Sequence, residues 1–249
     1  MNFLEGAVAL VTGASSGIGE SIARVLALKG INVSLIARRE EQLRKISNDI
    51  LDLGGQALPI TADIGNREEA LEAVNKTIDK FGRLDILINN AGIMHLGLAT
   101  DAFLSEWEEM INTNIQGLLN ITHASIPHLI KTVNQSNRKI TDIVNISSVA
   151  GRKATAGASV YNLTKHGLGA FSESLRQELS NNKVRVSLIE PGSVKTEIEK
   201  NLREEAYSPI KNNFNNHKHL DPLDIAHIIE YIISCPSNMA INEIMVRPF

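Results

Sequence analysis

The sequence predicts an α/β fold: a single domain over residues 1–249, built on a doubly wound parallel sheet of seven strands with helices on both faces. The first observation behind this prediction is an alternation of short β-branched or aliphatic runs with longer helical patterns, from the start to about residue 190. The second is size, because 249 residues with 43% hydrophobic content suit one substantial core rather than two independent domains.

The individual elements follow from this alternation. The first strand is predicted from the apolar run that Thr12 ends, and the first helix from the apolar periodicity of Ile22, Val25 and Leu26. The predicted strands are Ala7–Thr12, Asn32–Ala37, Gln56–Thr61, Leu84–Asn89, Thr141–Ser147, Val184–Glu190 and Ile241–Val246. The predicted helices are Gly17–Lys29, Glu40–Leu53, Arg67–Phe81, a long Ser105–Asn134 that Pro127 can bend, and Ser159–Ser180.

The segment 193–220 lacks a clear periodicity and is predicted to be a mobile lid. It mixes charges with the Asn-rich run Asn212–Asn216 and with the cluster His217-Lys218-His219. No metal site is predicted there, because two histidines in a polar loop without a neighbouring Cys or carboxylate pattern are usually solvated.

Charge and cysteine content exclude several classes of protein. The 25 basic residues nearly balance the 28 acidic ones without a dense Lys/Arg block, so neither a nucleic-acid partner nor a membrane partner is predicted. No apolar run reaches the roughly 20 residues that a membrane helix needs. The lone Cys235 cannot form an internal disulfide, which favours a reduced, cytoplasmic setting, and it is expected to be buried at a helix end.

A glycine-rich turn, Thr12-Gly-Ala-Ser-Ser-Gly-Ile-Gly19, follows the first predicted strand. Glycine lets the backbone turn tightly and approach a ligand without a Cβ, and the start of the next helix points free N–H groups at phosphates. The spacing Gly-x-x-x-Gly-x-Gly differs from the commoner fingerprint Gly-x-Gly-x-x-Gly, but strand, turn and helix come in the order that a pyrophosphate site requires. We therefore predict a nucleotide site on a Rossmann-like fold.

The residues after the second strand favour NADP(H) over NAD(H). An acidic residue about 20 residues beyond such a loop usually holds the ribose hydroxyls of NAD, whereas an Arg accommodates the 2′-phosphate of NADP. Here Arg38 and Arg39 take that place, and guanidinium groups grip phosphate with a fork of donors. The alternative is a solvated basic pair at the start of the helix that contains Glu40 and Glu41.

Tyr161 and Lys165 form the second chemical signal. At positions i and i+4 both side chains project from one face of the helix predicted for 159–180. Without other motifs, a core-facing ring beside a solvated amine is the commoner arrangement. A positive charge about 4 Å from a phenol, at an effective dielectric of about 20, favours the phenolate by roughly 4 kcal/mol, or about three pKa units. The pair is therefore expected to bring the pKa of Tyr161 towards neutrality, where acid–base catalysis works best.

With these motifs in order, the chain resembles the short-chain dehydrogenase/reductase family over essentially its whole length. Each matching motif falls after the carboxyl end of a predicted strand or on an adjoining helix, where open α/β sheets bind ligands. The matches are Thr12–Gly19, Asp63, Asn89-Asn90-Ala91-Gly92, Asn114 in Asn-Ile-Gln-Gly, Ser147-Ser148, Tyr161-x-x-x-Lys165, Pro191-Gly192 and Thr196.

The resemblance implies a catalytic set of Asn114, Ser148, Tyr161 and Lys165, and a hydride transfer between nicotinamide C4 and a substrate carbonyl carbon. The family's serine usually lies about thirteen residues before the tyrosine, which selects Ser148 over Ser147. Tyr161 would exchange a proton with the substrate oxygen, and Ser148 would hydrogen-bond the same oxygen. Lys165 would bind the nicotinamide ribose and lower the pKa of Tyr161, and Asn114 would hold a water that links Lys165 to solvent.

The same resemblance implies the cofactor contacts. Asp63 would contact the adenine, although a turn cap is its structural alternative, and Ser15 would help to hold the 2′-phosphate. Val194 and Thr196 would contact the carboxamide side. The full implied set is Gly13, Ser15, Ser16, Gly17, Ile18, Gly19, Arg38, Arg39, Asp63, Ile64, Asn90, Ala91, Gly92, Tyr161, Lys165, Pro191, Gly192, Val194 and Thr196, with no metal.

Three other residues have structural interpretations beside functional ones. Trp107 and Met110 are expected to pack in the interior or to form a subunit interface. His95, just past Asn-Asn-Ala-Gly, could line the substrate cleft, but an ordinary loop histidine is the commoner case.

The segment Tyr-Asn-Leu-Thr-Lys-His-Gly and the ending Ile-Asn-Glu-Ile-Met-Val-Arg-Pro-Phe are similar to the branch of NADP-dependent 3-hydroxy acid and clavulanate-aldehyde dehydrogenases. The resemblance therefore implies a small aldehyde, ketone or 3-hydroxy acid as the substrate, and a homotetramer or homodimer. A 3-oxoacyl-thioester reductase, whose partner is an acyl carrier protein, shares every catalytic residue and is an alternative. A non-catalytic NADP-sensing or scaffold protein is another, disfavoured because such proteins tend to lose part of the catalytic set.

Overall fold

The computed structural model of the chain describes residues 4–213 and 218–249. Its strands are β1 (Val8–Thr12), β2 (Asn32–Ala37), β3 (Gln56–Thr61), β4 (Ile86–Asn89), β5 (Thr141–Ile146), β6 (Val184–Pro191) and β7 (Glu243–Val246). They form one seven-stranded sheet in the order β3-β2-β1-β4-β5-β6-β7, and every neighbouring pair is parallel. The doubly wound parallel sheet that the sequence predicts is confirmed.

Helices connect the strands. They are α1 (Gly17–Leu28), α2 (Glu40–Asp52), α3 (Arg67–Phe81), α4 (Leu104–Ile111), α5 (Leu118–Val133), α6 (Ser159–Leu179), α7 (Glu204–Tyr207) and α8 (Pro222–Ser234). None of the helices within the described ranges is long and apolar enough to cross a membrane.

The two faces of the sheet carry separate apolar cores because side chains alternate along each strand. On β1, Ala9 and Val11 pack into the core that contains the buried residues of α1, α2 and α8. Val8 and Leu10 point the other way, into the core built with α3, α5 and α6. This interior strand is therefore covered on both sides, as an all-parallel sheet requires.

One predicted helix differs from the structure. The sequence predicts a continuous helix over 105–134, whereas α4 and α5 are joined by a π-helical turn, Asn112–Gly117. This turn packs tightly against the loop after β3, since a Cβ added to Gly65 would lie 2.3 Å from Asn112 Nδ2 and one added to Gly117 would lie 2.6 Å from Ile64 Cγ1. The apolar periodicity runs through this region, so no sequence signal separates the two helices. Pro127 lies inside α5.

A second difference is α8, for which no helix is predicted. Asp221 caps its start by accepting from Leu223 N at 2.9 Å, and Asp224 Oδ2 accepts from Asp221 N at 2.8 Å in return. Pro222 occupies the first helical position, where its missing N–H costs nothing. The buried thiol of Cys235 follows the last turn, which confirms the expected place at a helix end.

Candidate active site

A cavity of about 830 Å³ opens at the carboxyl ends of the strands. The strand order reverses between β1 and β4, and the loops after both strands line the cavity. Open α/β sheets bind ligands at such a crevice. All the site residues selected from the sequence line this cavity except Gly19 and Asn114, both of which are buried.

The glycine turn between β1 and α1 depends on its three glycines. Gly13 and Gly17 have φ angles of +65° and +57°, in the left-handed region that other residues disfavour. A Cβ on Gly19 would lie 2.3 Å from Gly13 O, so the backbone leaves no space for a side chain. Ser16 precedes α1 without capping it through its side chain, so the first N–H groups of α1 keep their ability to bind an anion.

Thr12 connects this turn to the loop after β4. Its hydroxyl accepts hydrogen bonds from Asn90 N and Ala91 N, both at 3.0 Å, and donates to Ile88 O at 3.3 Å. The Asn90 carboxamide donates to Thr12 O at 2.9 Å and to Gly13 O at 3.3 Å. Sequence reasoning gives Thr12 no role of its own, although its place at the start of the motif was visible.

Arg39 lies on the other side of the turn. Its Nε and Nη2 atoms donate to Ser15 Oγ at 3.1 and 3.0 Å, and Nη2 also donates to Ser16 Oγ at 2.5 Å. Its Nη1 atom donates to Glu197 Oε2 at 2.9 Å. Arg38 also lines the cavity and is exposed. The structure thus brings together the two arginines and the serine to which the sequence assigns the 2′-phosphate.

Asp63 follows β3 and forms the turn cap that was its structural alternative, because its Oδ1 accepts from Gly65 N at 2.9 Å. Its backbone N–H donates to Glu69 Oε2 at 2.8 Å. The residue also lines the cavity, so capping the turn leaves it in place for the adenine contact predicted from the resemblance.

Ser148, Tyr161 and Lys165 converge at the inner end of the cavity. Ser148 follows β5 and accepts from Ala150 N at 3.1 Å, and its hydroxyl lies near enough to the Tyr161 phenol to lower its pKa. Lys165 is buried and donates from Nζ to Ile146 O at 3.0 Å. One helix, α6, carries both the phenol and the ammonium, while the end of β5 supplies the hydroxyl.

Burial dominates the titration of this pair. It raises the pKa of Tyr161 to about 12, while the hydrogen bond with Ser148 acts in the opposite direction. It lowers the pKa of Lys165 to about 8. The expectation that Lys165 brings the pKa of Tyr161 towards neutrality is therefore wrong for this structure. Lys165 Nζ lies 5.8 Å from the centre of the phenol ring, and the desolvation of the buried phenol outweighs any attraction between the phenolate and the ammonium.

Asn114 lies in the π-helical turn and fixes the loop after β4. Its Oδ1 accepts from Ile93 N at 2.8 Å, and its Nδ2 donates to Ile93 O at 2.9 Å. A Cβ on Gly92 would lie 3.4 Å from Asn114 Oδ1 and 3.7 Å from Lys165 Nζ. Asn114 therefore holds the chain beside the Lys165 ammonium, and the bridging water stays a prediction.

A small apolar cluster supports Tyr161. Met110 is buried in it, and Trp107 packs against it, so both residues serve packing within the chain. His95 is not among the residues that line the cavity, and its Nε2 lies 2.9 Å from Glu109 Oε2. His95 is thus a loop histidine rather than a wall of the cleft.

The segment after β6 is more regular than the sequence predicts. It contains two short 3₁₀ turns, Glu197–Asn201 and Ser208–Asn213, besides α7. Arg203 joins it to α4 by donating to Glu106 Oε1 at 2.5 Å and lies 4.0 Å from the centre of the Phe103 ring. Whether the segment moves as a lid stays a prediction.

The histidine cluster of this segment falls partly outside the described residues. Residues 214–217, including His217, are not described, and His219 Nδ1 lies 2.6 Å from Ser193 Oγ. Within 4–213 and 218–249, no group of three or more His, Cys, Asp or Glu side chains could hold a metal ion.

Sequence reasoning indicates the segment 193–220 as a substrate lid but names no individual residues of the outer part of the cavity. Its walls come from loops after β4, β5 and β6, where no spacing rule marks individual residues. The additional lining residues include Met94, Leu96, Val149, Lys153, Thr155, Ile198 and Tyr207. The cavity therefore continues from the catalytic set into a region lined by both apolar and polar side chains.

The residues present fit a phosphorylated dinucleotide. The glycine turn offers close backbone approach and the uncapped start of α1 offers N–H donors, which suits a pyrophosphate. Arg39 and Ser15 provide donors for a further phosphate, and the inner end of the cavity places a buried ammonium beside a phenol.

Residues 7–207 match the short chain dehydrogenase family. An uncharacterized oxidoreductase of Staphylococcus saprophyticus is 38% identical over 247 residues, which cover 98% of each chain. A solved 3-ketoacyl-(acyl-carrier-protein) reductase from Brucella melitensis, complexed with NADH, is 28% identical with a TM-score of 0.85 and 98% of each chain covered. The closed form of a serine dehydrogenase complexed with NADP⁺ is 31% identical with a TM-score of 0.85, covering 96% of this chain and 94% of that one.

The likeness spans the whole fold rather than one motif. The matched region includes the glycine turn, the loop after β4 and the helix that carries Tyr161 and Lys165. The relative and both structures are matched over nearly their full length. This protein therefore belongs to the short-chain dehydrogenase/reductase family and is an enzyme that acts on CH–OH and C=O groups.

Proposed function

We propose that the protein is an NADP(H)-dependent oxidoreductase that transfers a hydride between nicotinamide C4 and a small carbonyl or alcohol substrate. The observation that carries the proposal is the convergence of Ser148, Tyr161 and Lys165 in the cavity that also contains the glycine turn and Arg39. A proton donor, a hydroxyl and a cation then surround one place at which charge develops on a substrate oxygen.

In carbonyl reduction, bound NADPH would supply the hydride, held by the glycine turn, Arg39 and Lys165. Tyr161 donates its proton to the carbonyl oxygen, and burial favours this role because a pKa raised to about 12 keeps the phenol protonated at neutral pH. Ser148 donates a hydrogen bond to the same oxygen, where negative charge grows in the transition state. Lys165 would hold the nicotinamide ribose, and its charge would stabilise the phenolate that remains after proton transfer.

NADP(H) is proposed over NAD(H) because cations and hydroxyls gather where a 2′-phosphate would lie. Ser15 and Ser16 accept hydrogen bonds from Arg39, and both hydroxyls can turn to donate to a phosphate oxygen. Arg38 adds a second guanidinium on the wall of the same cavity. The serine dehydrogenase of similar structure is complexed with NADP⁺, whereas the Brucella reductase is complexed with NADH.

For the substrate, the proposal favours a 3-hydroxy acid or the corresponding oxo acid. Lys153 lines the cavity that contains Tyr161, and its ammonium makes no hydrogen bond or ion pair in the part of the chain that the structure describes. Asn162 holds the loop of Lys153, because its Nδ2 donates to Ala150 O at 2.7 Å and to Lys153 O at 3.3 Å. A carboxylate on the substrate would give this cation a partner. Serine, the substrate in the name of one similar structure, is itself a 3-hydroxy acid.

A 3-oxoacyl-thioester reductase is the second candidate. The observation in its favour is the likeness to the Brucella reductase over 98% of each chain. Such an enzyme would also need a surface for an acyl carrier protein. Assays with a thioester carried by acyl carrier protein, and with its small N-acetylcysteamine analogue, test this candidate directly.

A substrate screen tests the proposed function. Aldehydes, ketones and 3-oxo acids are assayed with NADPH, and 3-hydroxy acids with NADP⁺, at the absorbance of the reduced nicotinamide. Each acid is paired with its uncharged methyl ester, so that a preference for the acid supports the role of Lys153. Tight binding of NADPH without turnover of any compound would support the non-catalytic alternative instead.

Replacement of Tyr161 by Phe is the sharpest test of the catalytic assignment. We expect turnover to fall by about 10²- to 10⁴-fold, because the proton donor is lost. NADPH binding should stay nearly unchanged, because the ring keeps its packing against the cluster of Met110 and Trp107. Fluorescence titration with NADPH and steady-state rates separate the two effects. Turnover within tenfold of the wild-type rate would contradict the role of Tyr161.

Two broader proposals accompany this function. A homodimer or homotetramer is proposed, and the exposed side chains of Met245 on the edge strand β7 and of Phe249 beyond it suit a subunit contact.

A cytoplasmic setting is proposed because the single thiol, Cys235, is buried and donates to Tyr231 O, so it is not exposed for a disulfide.

A further inference from the structure

Arg39 connects two segments that meet over the cofactor end of the cavity. Its Nε and Nη2 atoms donate to Ser15 and Ser16 in the glycine turn, at distances between 2.5 and 3.1 Å. Its Nη1 atom donates at 2.9 Å to Glu197 Oε2, at the start of the 3₁₀ turn after β6. Arg39 and Glu197 both line the cavity, with side chains 47% and 40% exposed.

The backbone around Glu197 is held close to the glycine turn. Thr196 precedes it, and a Cβ added to Gly17 would lie 3.1 Å from Thr196 Cγ2. Thr196 Oγ1 also accepts from Ile198 N at 3.4 Å. Glu197 therefore belongs to a segment whose Thr196 side chain lies beside the glycine turn, which places its carboxylate within reach of Arg39.

We propose that Glu197 is a specificity-determining residue that competes with the 2′-phosphate of NADP(H) for the guanidinium of Arg39. This inference rests on the proposed function, since it takes Arg39 as the group that binds the 2′-phosphate. A phosphate monoester carries a charge near −2 at neutral pH, and two anions around one guanidinium repel each other. Glu197 therefore weakens the binding of NADP(H) and leaves that of NAD(H) nearly unaffected.

Glu197 could also strengthen the binding of NADP(H) by orienting Arg39, but this effect is the weaker one. Ser15 and Ser16 together accept three hydrogen bonds from the same guanidinium, so its position does not depend on the carboxylate. A Gln at position 197 also keeps an oxygen that can accept from Nη1. The substitution Glu197→Gln thus removes the charge and retains the hydrogen bond.

The test uses two fragments that differ only in the 2′-phosphate, 2′,5′-ADP and 5′-AMP, titrated into the full chain by isothermal calorimetry. A charge of −2 about 6 Å from the carboxylate, partly screened by salt, corresponds to a change of about three- to tenfold in affinity. We expect Glu197→Gln to tighten the binding of 2′,5′-ADP by this factor and to change that of 5′-AMP by less than about twofold. The gain should shrink in 0.5 M salt.

Glu199→Gln is the matched control, because Glu199 lies in the same 3₁₀ turn and lines the same cavity without bonding Arg39. It should change the binding of either fragment by less than about twofold. A Glu197→Gln protein that binds 2′,5′-ADP no more tightly than wild type would overturn the inference. Equal gains from both substitutions would also overturn it, since the effect would then be a general change in charge.

The outcomes for Arg39 separate this inference from the proposed function. Arg39→Ala should weaken the binding of 2′,5′-ADP. In an Arg39→Ala background, Glu197→Gln should no longer change this binding, because the shared guanidinium is absent. If wild type prefers 5′-AMP and Glu197→Gln reverses that preference, the NADP(H) assignment fails while the role of Glu197 stands. If 2′,5′-ADP is preferred throughout and Glu197→Gln has no effect, the assignment stands and the inference fails.

Discussion

Tyr161 and Lys165 show which features of a site a residue pattern predicts and which it does not. The i, i+4 spacing predicts that both side chains share one face of a helix, and α6 places them so. The pattern cannot give the direction of the Lys165 side chain, whose Nζ bonds Ile146 O. It also cannot give burial, which depends on loops distant in sequence. For both reasons the expected pKa of Tyr161 was wrong although the pair itself was found.

The lowered pKa of Lys165 gives a prediction for pH dependence. Burial disfavours the ammonium, so Lys165 is cationic below pH 8 and loses its proton as the pH rises through about 8. The pH dependence of kcat/KM for NADPH reports the pKa values of the free enzyme. If the cation holds the nicotinamide ribose, kcat/KM should be constant below about pH 8 and fall above it. Stopped-flow or steady-state rates between pH 6 and 10 measure the profile.

The Tyr161→Phe protein is the control for this profile. Its NADPH affinity, measured by fluorescence, should fall with the same midpoint near pH 8, since the phenol is absent and Lys165 alone titrates. An affinity that stays constant to pH 10 would show that the charge of Lys165 is not needed for binding. If the midpoint near pH 8 were absent from the Tyr161→Phe protein, the titration would belong to Tyr161 rather than to Lys165.

At the scale of elements, sequence signals worked where backbone geometry demands particular residues. The glycine turn was identified because only glycine tolerates the angles of Gly13 and Gly17 and the contact of Gly19. The start of α8 carries an equally good signal in Asp221 and Pro222, but the irregular segment before it hides the helix from a prediction based on periodicity. The π-helical turn had none, because it follows from packing against the loop after β3.

The glycine turn provides the prediction at this scale. In Gly19→Ala the new Cβ would lie 2.3 Å from Gly13 O, a backbone atom that moves only with the turn itself. We expect NADPH affinity to fall by at least about tenfold and the melting temperature to drop, because N–H groups at the start of α1 lose their alignment. Fluorescence titration and differential scanning fluorimetry provide the two measurements.

Gly167→Ala is the matched control within a helix. Gly167 is exposed on α6, and a Cβ there meets no atom within 4 Å. Alanine in a helix interior is favoured over glycine by about 1 kcal/mol, which corresponds to a rise of about 2–4 °C in the melting temperature. NADPH affinity should not change. If Gly19→Ala bound NADPH like wild type, the close approach of the glycine turn to the pyrophosphate would be refuted.

At the scale of the whole molecule, the two edges of the sheet have different chemistry. The carboxyl edge carries the cavity, and several of its polar residues line it. At the amino edge, Asp142 on β5 is buried between two guanidinium groups, with Arg138 Nη2 at 2.5 Å and Arg185 Nε at 2.7 Å. Both arginines also donate to carbonyls at the end of α8, including Ile233 O. The sequence predicted the sheet but not this cluster, whose members are separated along the chain.

This division predicts that Asp142 serves stability without serving binding. Asp142→Ala leaves two buried guanidinium groups without their carboxylate, and removing one partner of a buried pair costs about 3–5 kcal/mol. We expect the free energy of unfolding, from urea titration, to fall by about that amount. NADPH affinity should stay within about twofold, since four residues of β5 at about 3.3 Å each separate Asp142 from the carboxyl end of the strand.

An exposed ion pair provides the comparison. Glu72 and Lys76 form an i, i+4 pair on α3 with a 2.7 Å contact, and both side chains are more than half exposed. Glu72→Ala should change the free energy of unfolding by less than about 1 kcal/mol, because solvent screens such pairs. If Asp142→Ala proved no more costly than Glu72→Ala, the buried cluster would not be holding β5, β6 and α8 together. If it weakened NADPH binding as much as stability, the two edges of the sheet would be coupled, and the cavity would depend on the cluster at the opposite edge.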